Sequence, residues 1–377
     1  MMHLPKREPA AKVATAICNS KYYTGRHVVA GCLSSEVRYE IHLPSPCLAF
    51  AMNSYRSLMW SLALRGFIPL AAFGSSFGNA LSAQELGLPP TVAVGAKLTE
   101  VYSGDGFYEG PMWDPASAKL YFSGFYDNNT SLRVLRLEKP GDAVTWEGKS
   151  QGVNGTFLSL DGRMLGAQGK AKAIIDWRLG EDGPVDQKTL YQSDALNQPN
   201  DICQTADGRI YFTDPNFQTQ QSGVYLLKDS NATKIISNIP APNGIITSLD
   251  GRTLYISDSG DKFWRSYSLD DQGMPGKEET FFKPEVTNQN SPDGMTIDAG
   301  GNLYLTGRGG VWMVSAEGKA LGFVPIPEFC SNVTFGGPDG KTLYITCEGK
   351  LYSLQMTVTG HGDSPAPTKI VTTLTSL

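Results

Sequence analysis

Between residues 109 and 347 the chain repeats one arrangement of polar and apolar positions six times. A polar residue, usually followed by glycine, leads an apolar stretch, a tight turn and an aromatic-rich run. The copies are EGPMWDPASAKLYFSG from Glu109, NGTFLSLDGRMLGAQ from Asn154, NDICQTADGRIYFTD from Asn200, NGIITSLDGRTLYISD from Asn243, DGMTIDAGGNLYLTG from Asp293 and NVTFGGPDGKTLYITC from Asn332. In the last five, the polar residue stands eight positions ahead of a turn glycine, at Gly162, Gly208, Gly251, Gly301 and Gly340. Short β-branched and aromatic runs bounded by Asp-Gly and Asn-Gly pairs predict strands joined by tight turns, not helices.

The leading residues are 45, 46, 43, 50 and 39 positions apart. A spacing of about 45 residues is the length of one four-stranded propeller blade. The expectation is an all-β, six-bladed β-propeller over residues 84–377, with a central metal site and an N-terminal strand near Lys97 to Tyr102 closing the ring. Closure protects sheet edges that would otherwise pair with other chains. A β-sandwich has no reason to repeat one polar position six times.

Residues 1–83 do not share this pattern. From Met52 the chain offers Arg56 and Arg65, an apolar and small-residue stretch from Gly66 to Phe77, and small residues from Ala80 to Ala83. That order reads as a secretory signal peptide over residues 52–83, with the mature chain starting near Gln84 and a periplasmic or secreted destination. Arg65, Pro69 and the Gly/Ser run interrupt the roughly 20 apolar residues that a membrane anchor requires, so no stable anchor is expected. Residues 1–51 form an upstream extension left out of the fold.

Charge and cysteine content narrow the partners. With 32 basic against 37 acidic residues and no long run of either sign, the footprint of nucleic-acid binding is missing. Cys18, Cys32 and Cys47 lie in the extension; Cys203, Cys330 and Cys347 lie in the body without CxxC spacing or histidine neighbours. They read as buried small hydrophobes, with Cys330 and Cys347 as the single pair suited to a disulfide.

In a propeller the first strand of each blade lines the channel, so Glu109, Asn154, Asn200, Asn243, Asp293 and Asn332 form one ring. Polar groups facing a channel need water or a cation to satisfy them. Turn chemistry is the competing explanation, since Asn-Gly and Asp-Gly tolerate left-handed backbone. Glu109 has no such preference yet holds the same place. Two carboxylates among amide oxygens make a hard all-oxygen site that suits calcium first, then magnesium or manganese, and zinc less well. The four histidines, His3, His27, His42 and His361, all fall outside the repeats, which leaves a Ser-His-Asp mechanism nothing to build on.

Residues 97–355 resemble the senescence marker protein, gluconolactonase and luciferin-regenerating enzyme family, relatives of diisopropyl fluorophosphatase and more distantly of paraoxonase. The resemblance lies in EGPMW, QPND with YFTDP, PNGI, SPDGM and SNVTFGGPDGKTLYIT, and is nearest to the bacterial gluconolactonases. It implies a single catalytic divalent cation held at Glu109, Asn243 and Asp293, with Asn200 as a fourth ligand or a substrate contact. Asn154 and Asn332, which the repeat adds, stand as substrate-contact candidates. The animal sugar lactonases carry an arginine where this chain has Gln198.

The expected activity is hydrolysis of a sugar lactone, a step in carbohydrate metabolism. The cation polarises the lactone carbonyl, Asp293 takes the proton of the attacking water, and Glu109 serves as a ligand whose backbone Gly110-Pro111 fixes. The alternatives are an organophosphate hydrolase of the diisopropyl fluorophosphatase type and a non-catalytic propeller that binds a partner. Asp214 and Asp258 read as turn caps, and Trp113, Trp264 and Trp312 as core.

Overall fold

A computed structural model of the chain describes residues 86–284 and 291–361. The extension, the signal-like segment and the processing site near Gln84 lie outside them. Among the described residues no helix is long and apolar enough to cross a membrane.

The fold is an all-β propeller, with 22 strands among the described residues. After β1 (Thr99–Ser103) come four antiparallel meanders of four strands each. The first holds β2 (Phe107–Asp114), β3 (Lys119–Tyr126), β4 (Ser131–Lys139) and β5 (Asp142–Glu147). The second holds β6 (Val153–Leu158), β7 (Met164–Gln168), β8 (Ala173–Leu179) and β9 (Pro184–Gln192). The third holds β10 (Ile202–Gln204), β11 (Ile210–Asp214), β12 (Gly223–Lys228) and β13 (Asn231–Ile236). The fourth holds β14 (Pro242–Thr247), β15 (Thr253–Asp258), β16 (Phe263–Leu269) and β17 (Pro275–Phe282). The remaining strands are β18 (Met295–Ile297), β19 (Leu303–Val314), β20 (Ala320–Gly336), β21 (Thr342–Cys347) and β22 (Lys350–Gln355). With β1 they make one six-stranded sheet, in the order β1-β22-β21-β20-β19-β18.

By continuous hydrogen bonding the described residues therefore form five sheets where the repeat led to six blades. The difference lies in β19 and β20, 12 and 17 residues long, which run on through positions where a break was expected. Within β19 the segment paired to β18 passes through Gly309 and Gly310, at φ 93° and 138°, into the segment paired to β20. The N-terminal strand does close the structure: β1 pairs antiparallel with β22, Thr99 opposite Ser353.

Burial falls from the axis outward. The innermost β14 is buried along its whole length, whereas the outermost β9 is mostly exposed and carries Asp186, Gln187 and Lys188. Polar and charged side chains on an outer strand discourage edge-to-edge pairing. The apolar residues gather in six clusters. Five join neighbouring sheets, for example Tyr121 and Trp146 of the first with Trp177 of the second. The sixth packs the β19 side of the six-stranded sheet, through Tyr304, against its β21 side, through Phe335 and Leu343.

The turn glycines behave as their spacing demands. Gly162, Gly208, Gly251, Gly301 and Gly340 all have positive φ, between 66° and 87°. In three of these turns a side chain four residues before the turn's end closes the bend: Ser159 Oγ accepts from Arg163 N at 3.0 Å, Thr205 Oγ1 from Arg209 N at 3.0 Å and Asp298 Oδ1 from Asn302 N at 2.9 Å. Asp214 caps the backbone N–H groups of Asn197 and Gln198, and Asp258 those of Gly260 and Asp261 while pairing with buried Arg265. Both aspartates are structural, as expected. Trp113, Trp264 and Trp312 are buried, and Cys203, Cys330 and Cys347 are free thiols in the core.

Candidate functional site

The six leading residues stand at the heads of the innermost strands. Glu109 lies in β2, Asn154 in β6, Asn243 in β14 and Asn332 in the second half of β20; Asn200 and Asp293 stand two residues ahead of β10 and β18. Five of them are between 4% and 7% exposed, and Asn154 is half-buried. The contacts between their strands bring them together. Gly155 N donates to Asn200 O at 2.7 Å, Asn332 Nδ2 reaches both carboxylate oxygens of Asp201 at 3.2 Å, and the charge of Glu109 raises the proton affinity of Asp293.

The glycine that follows four of the six leading residues has a steric cause. A Cβ on Gly110 would meet Asn154 O at 2.0 Å, one on Gly155 would meet Asp201 Oδ1 at 2.0 Å, one on Gly244 Asp293 O at 2.3 Å, and one on Gly294 Asn332 Cγ at 2.0 Å. Each inner strand backs directly onto the head of the next. Of these glycines only Gly110 has positive φ, so left-handed turn geometry does not explain the repeat.

A second ring holds the first in place. The second strands carry Ser123, Thr213, Ser257, Thr306 and Thr346, all fully buried. Ser123 Oγ donates to Asn154 O at 2.7 Å, Thr213 Oγ1 to Asn243 O at 2.6 Å and Thr306 Oγ1 to Ser331 O at 3.0 Å, each across to the next inner strand. In the second sheet, where Ala167 takes this place, Thr156 Oγ1 donates back to Gly110 O at 2.6 Å. Ser331 Oγ completes the circuit to Tyr108 O at 2.6 Å.

What the ring lacks is donors. Asn154 Oδ1, Asn243 Oδ1 and Asp293 Oδ1 are buried acceptors without a hydrogen-bond partner. The Asn243 amide is oriented by its Nδ2, which donates to Ser259 Oγ at 3.3 Å. Around these oxygens, three carboxylates are strained toward protonation. Burial, then Asp201, push the Glu109 carboxyl up to about 8, against weaker relief from Gly110 N–H and Asn332. Burial pushes Asp201 up to about 7. Burial, then Glu109 and Asp201, hold Asp293 well above the usual carboxylate range.

Orphan acceptors beside destabilised carboxylates are what a hard cation relieves. Among the described residues no three Asp, Glu, His or Cys side chains gather at one metal-holding point. The donor set that fits a cation is therefore Glu109 and Asp293 completed by asparagine oxygens, with Asp201 tied to Asn332. The sequence reading missed Asp201. Its signal was present: Asn200 alone among the first five leading residues is followed by an acid instead of glycine.

Beside the ring a cavity of about 180 Å³ is lined by Phe125, Leu132 and Pro199 on its apolar side and by Asn129, Asn154, Lys170 and Gln198. Phe107, 38% exposed, stacks on Phe329 nearby at 6.3 Å. A larger cavity, about 380 Å³, lies at the other ends of the strands around Trp113, Leu120 and Tyr344 and contains none of the leading residues.

Comparison with known proteins accords with this arrangement. A gluconolactonase of Zymomonas mobilis is 29% identical over 278 residues, covering 63% of this chain and 75% of that protein. A pentonolactonase of Haloferax volcanii is 26% identical over 249 residues, covering 64% of this chain and 81% of its own length. The solved structure of a gluconolactonase from Xanthomonas campestris superposes with a TM-score of 0.60 at 26% identity, over 71% of this chain and 95% of that one. The model of the SMP-30/gluconolactonase/LRE-like region matches residues 107–349, the whole run of repeats, and the chain belongs to that family.

Proposed function

We propose that the protein hydrolyses a sugar lactone at the head of its central channel, with one divalent cation, calcium by preference, held at Glu109, Asn200, Asn243 and Asp293. The observation that carries this reading is the set of donorless acceptors, Asn243 Oδ1 and Asp293 Oδ1 among them, next to three buried carboxylates. The chemistry such a cation supplies is polarisation of the lactone carbonyl. Asp293 accepts the proton of the attacking water, and its buried position excludes competing solvent. Glu109 serves as a ligand, its Oε2 steadied by Gly110 N–H at 3.2 Å. Asn200, Asn154 and Asn332 face the substrate, and the cavity bounded by Asn154 and Gln198 receives its hydroxylated tail.

The same reading makes the ring six-bladed. The six-stranded sheet counts as two blades, with β18 and the second half of β20 as their inner strands. Its internal apolar cluster then fills the sixth blade interface. Export through the segment 52–83 completes the proposal, since the propeller repeats begin after it.

Side-by-side assay of the calcium-loaded protein on glucono- and xylonolactone and on an organophosphate triester tests the substrate class. Turnover of the sugar lactones at least a hundredfold above that of the triester is expected. Preference for the triester, or inertness toward every lactone with the metal bound, would sink the reading.

A further inference from the structure

Strands β20 and β21 place Cys330 directly opposite Cys347. Residues opposed across an antiparallel pair project to the same face, with Cα atoms about 4.5–5.5 Å apart, inside the range a disulfide spans. Both side chains are fully buried in one apolar cluster with Val333 and Ile345. The remaining body cysteine, Cys203, lies in β10 in a different cluster and cannot reach either. Ser331 and Asn332 follow Cys330 directly, and Ser331 Oγ ties this segment to Tyr108 O beside Glu109. The pair therefore sits on the seam where the last sheet meets the first.

We propose that Cys330 and Cys347 form a cross-strand disulfide site, oxidised while the chain folds and sealed afterwards. The oxidant class is a disulfide, either of a dithiol oxidoreductase or of a small thiol such as glutathione. The Cys330 thiolate attacks one sulfur of that disulfide, giving a mixed disulfide and releasing one reduced thiol. The Cys347 thiolate then attacks Cys330 Sγ, forming the Sγ–Sγ bond and expelling the second thiol. The two cysteine protons end on the two released thiols, and the oxidant takes up two electrons. In the folded chain the reaction stalls, because burial, and then the Cys330 thiol beside it, push the Cys347 thiol far above its ordinary range.

The test uses the full chain, refolded from denaturant in oxidised and reduced glutathione, then alkylated and digested without reduction. Cleavage after Lys341 puts the two cysteines on separate peptides, so a linked pair is read directly by mass. Expected are the Cys330–Cys347 linked peptide, Cys203 alkylated as a free thiol, and a melting temperature about 5–10 °C above the reduced form. Cys330→Ser should erase that gap, and folded reduced protein given the same oxidant should form the link at least tenfold more slowly. Recovery of both cysteines alkylated after oxidative refolding, a link to Cys203, or equal oxidation rates for folded and unfolded chains would overturn the proposal.

Discussion

At the residue scale the central feature is how little room separates each ring residue from its neighbour. The six polar positions were legible as a repeat, and the preference for glycine after them was legible too. Its cause was not, because a sequence cannot distinguish a glycine that turns the backbone from one that lets another strand approach. Gly155 belongs to the second kind: its added Cβ would sit 2.0 Å from Asp201 Oδ1 and 2.8 Å from Asn200 O. Gly155→Ala should therefore cost about 1–3 kcal/mol of stability and weaken calcium binding, by overpacking the ring. Gly148, whose Cβ would meet nothing nearer than Thr145 Cγ2 at 3.8 Å, is the control. Gly148→Ala should stay within about 1 kcal/mol of the parent. Denaturant melts of both variants read the difference; equal stabilities would contradict the close-approach account. Asp201 escaped notice for the converse reason. Its value lies in a contact with Asn332, 131 positions away, that no local pattern encodes.

At the scale of elements, the strands and their turns followed from alternation and Asp-Gly spacing, and the closing strand β1 fell where it was expected. The boundary inside the last sheet did not. Asp293 and Asn332 are the most closely spaced leading residues, 39 apart, so little chain remains between the two repeats. β20 runs without a break from an outer position to an inner one, and hydrogen bonding merges what the repeat separates. The hydroxyls of the second strands are the less visible half of the design. Thr213 Oγ1, fully buried, donates to Asn243 O at 2.6 Å and so fixes the backbone that presents the Asn243 side chain. Thr213→Val leaves that buried carbonyl short of a donor and should cost about 1–3 kcal/mol, lowering the melting temperature by several degrees. Thr213→Ser keeps the donor and should lose markedly less. A valine variant as stable as the serine one would show that the hydroxyl holds nothing.

For the whole molecule, the ring's electrostatics tie stability to pH. In the metal-free protein Glu109 is pushed up to about 8 and Asp201 to about 7, both above the value of about 4 that carboxylates have in an unfolded chain. Acids raised in the folded state contribute stability that is complete below the unfolded value and disappears as pH rises through the folded one. Metal-free protein should thus lose melting temperature steadily between about pH 5 and pH 8. Calcium, which favours the carboxylates, should restore more at pH 8 than at pH 5 and release protons on binding. Calorimetry with and without calcium at the two pH values checks the sign; a larger calcium effect at pH 5 would contradict it.

The account stands on the ring being both a cation site and a catalytic one, and turnover of gluconolactone at saturating calcium separates those roles. Exhaustive removal of divalent cations should abolish turnover in the parent protein, and calcium should restore it. Asp293→Asn, with its site shown to be full, should remain slower by about 10²–10⁴-fold, the usual contribution of a general base. Glu109→Gln should bind calcium more weakly yet recover most of its rate in excess metal. Full activity after chelation, or an Asp293→Asn protein that turns over at the parent rate, would contradict the account.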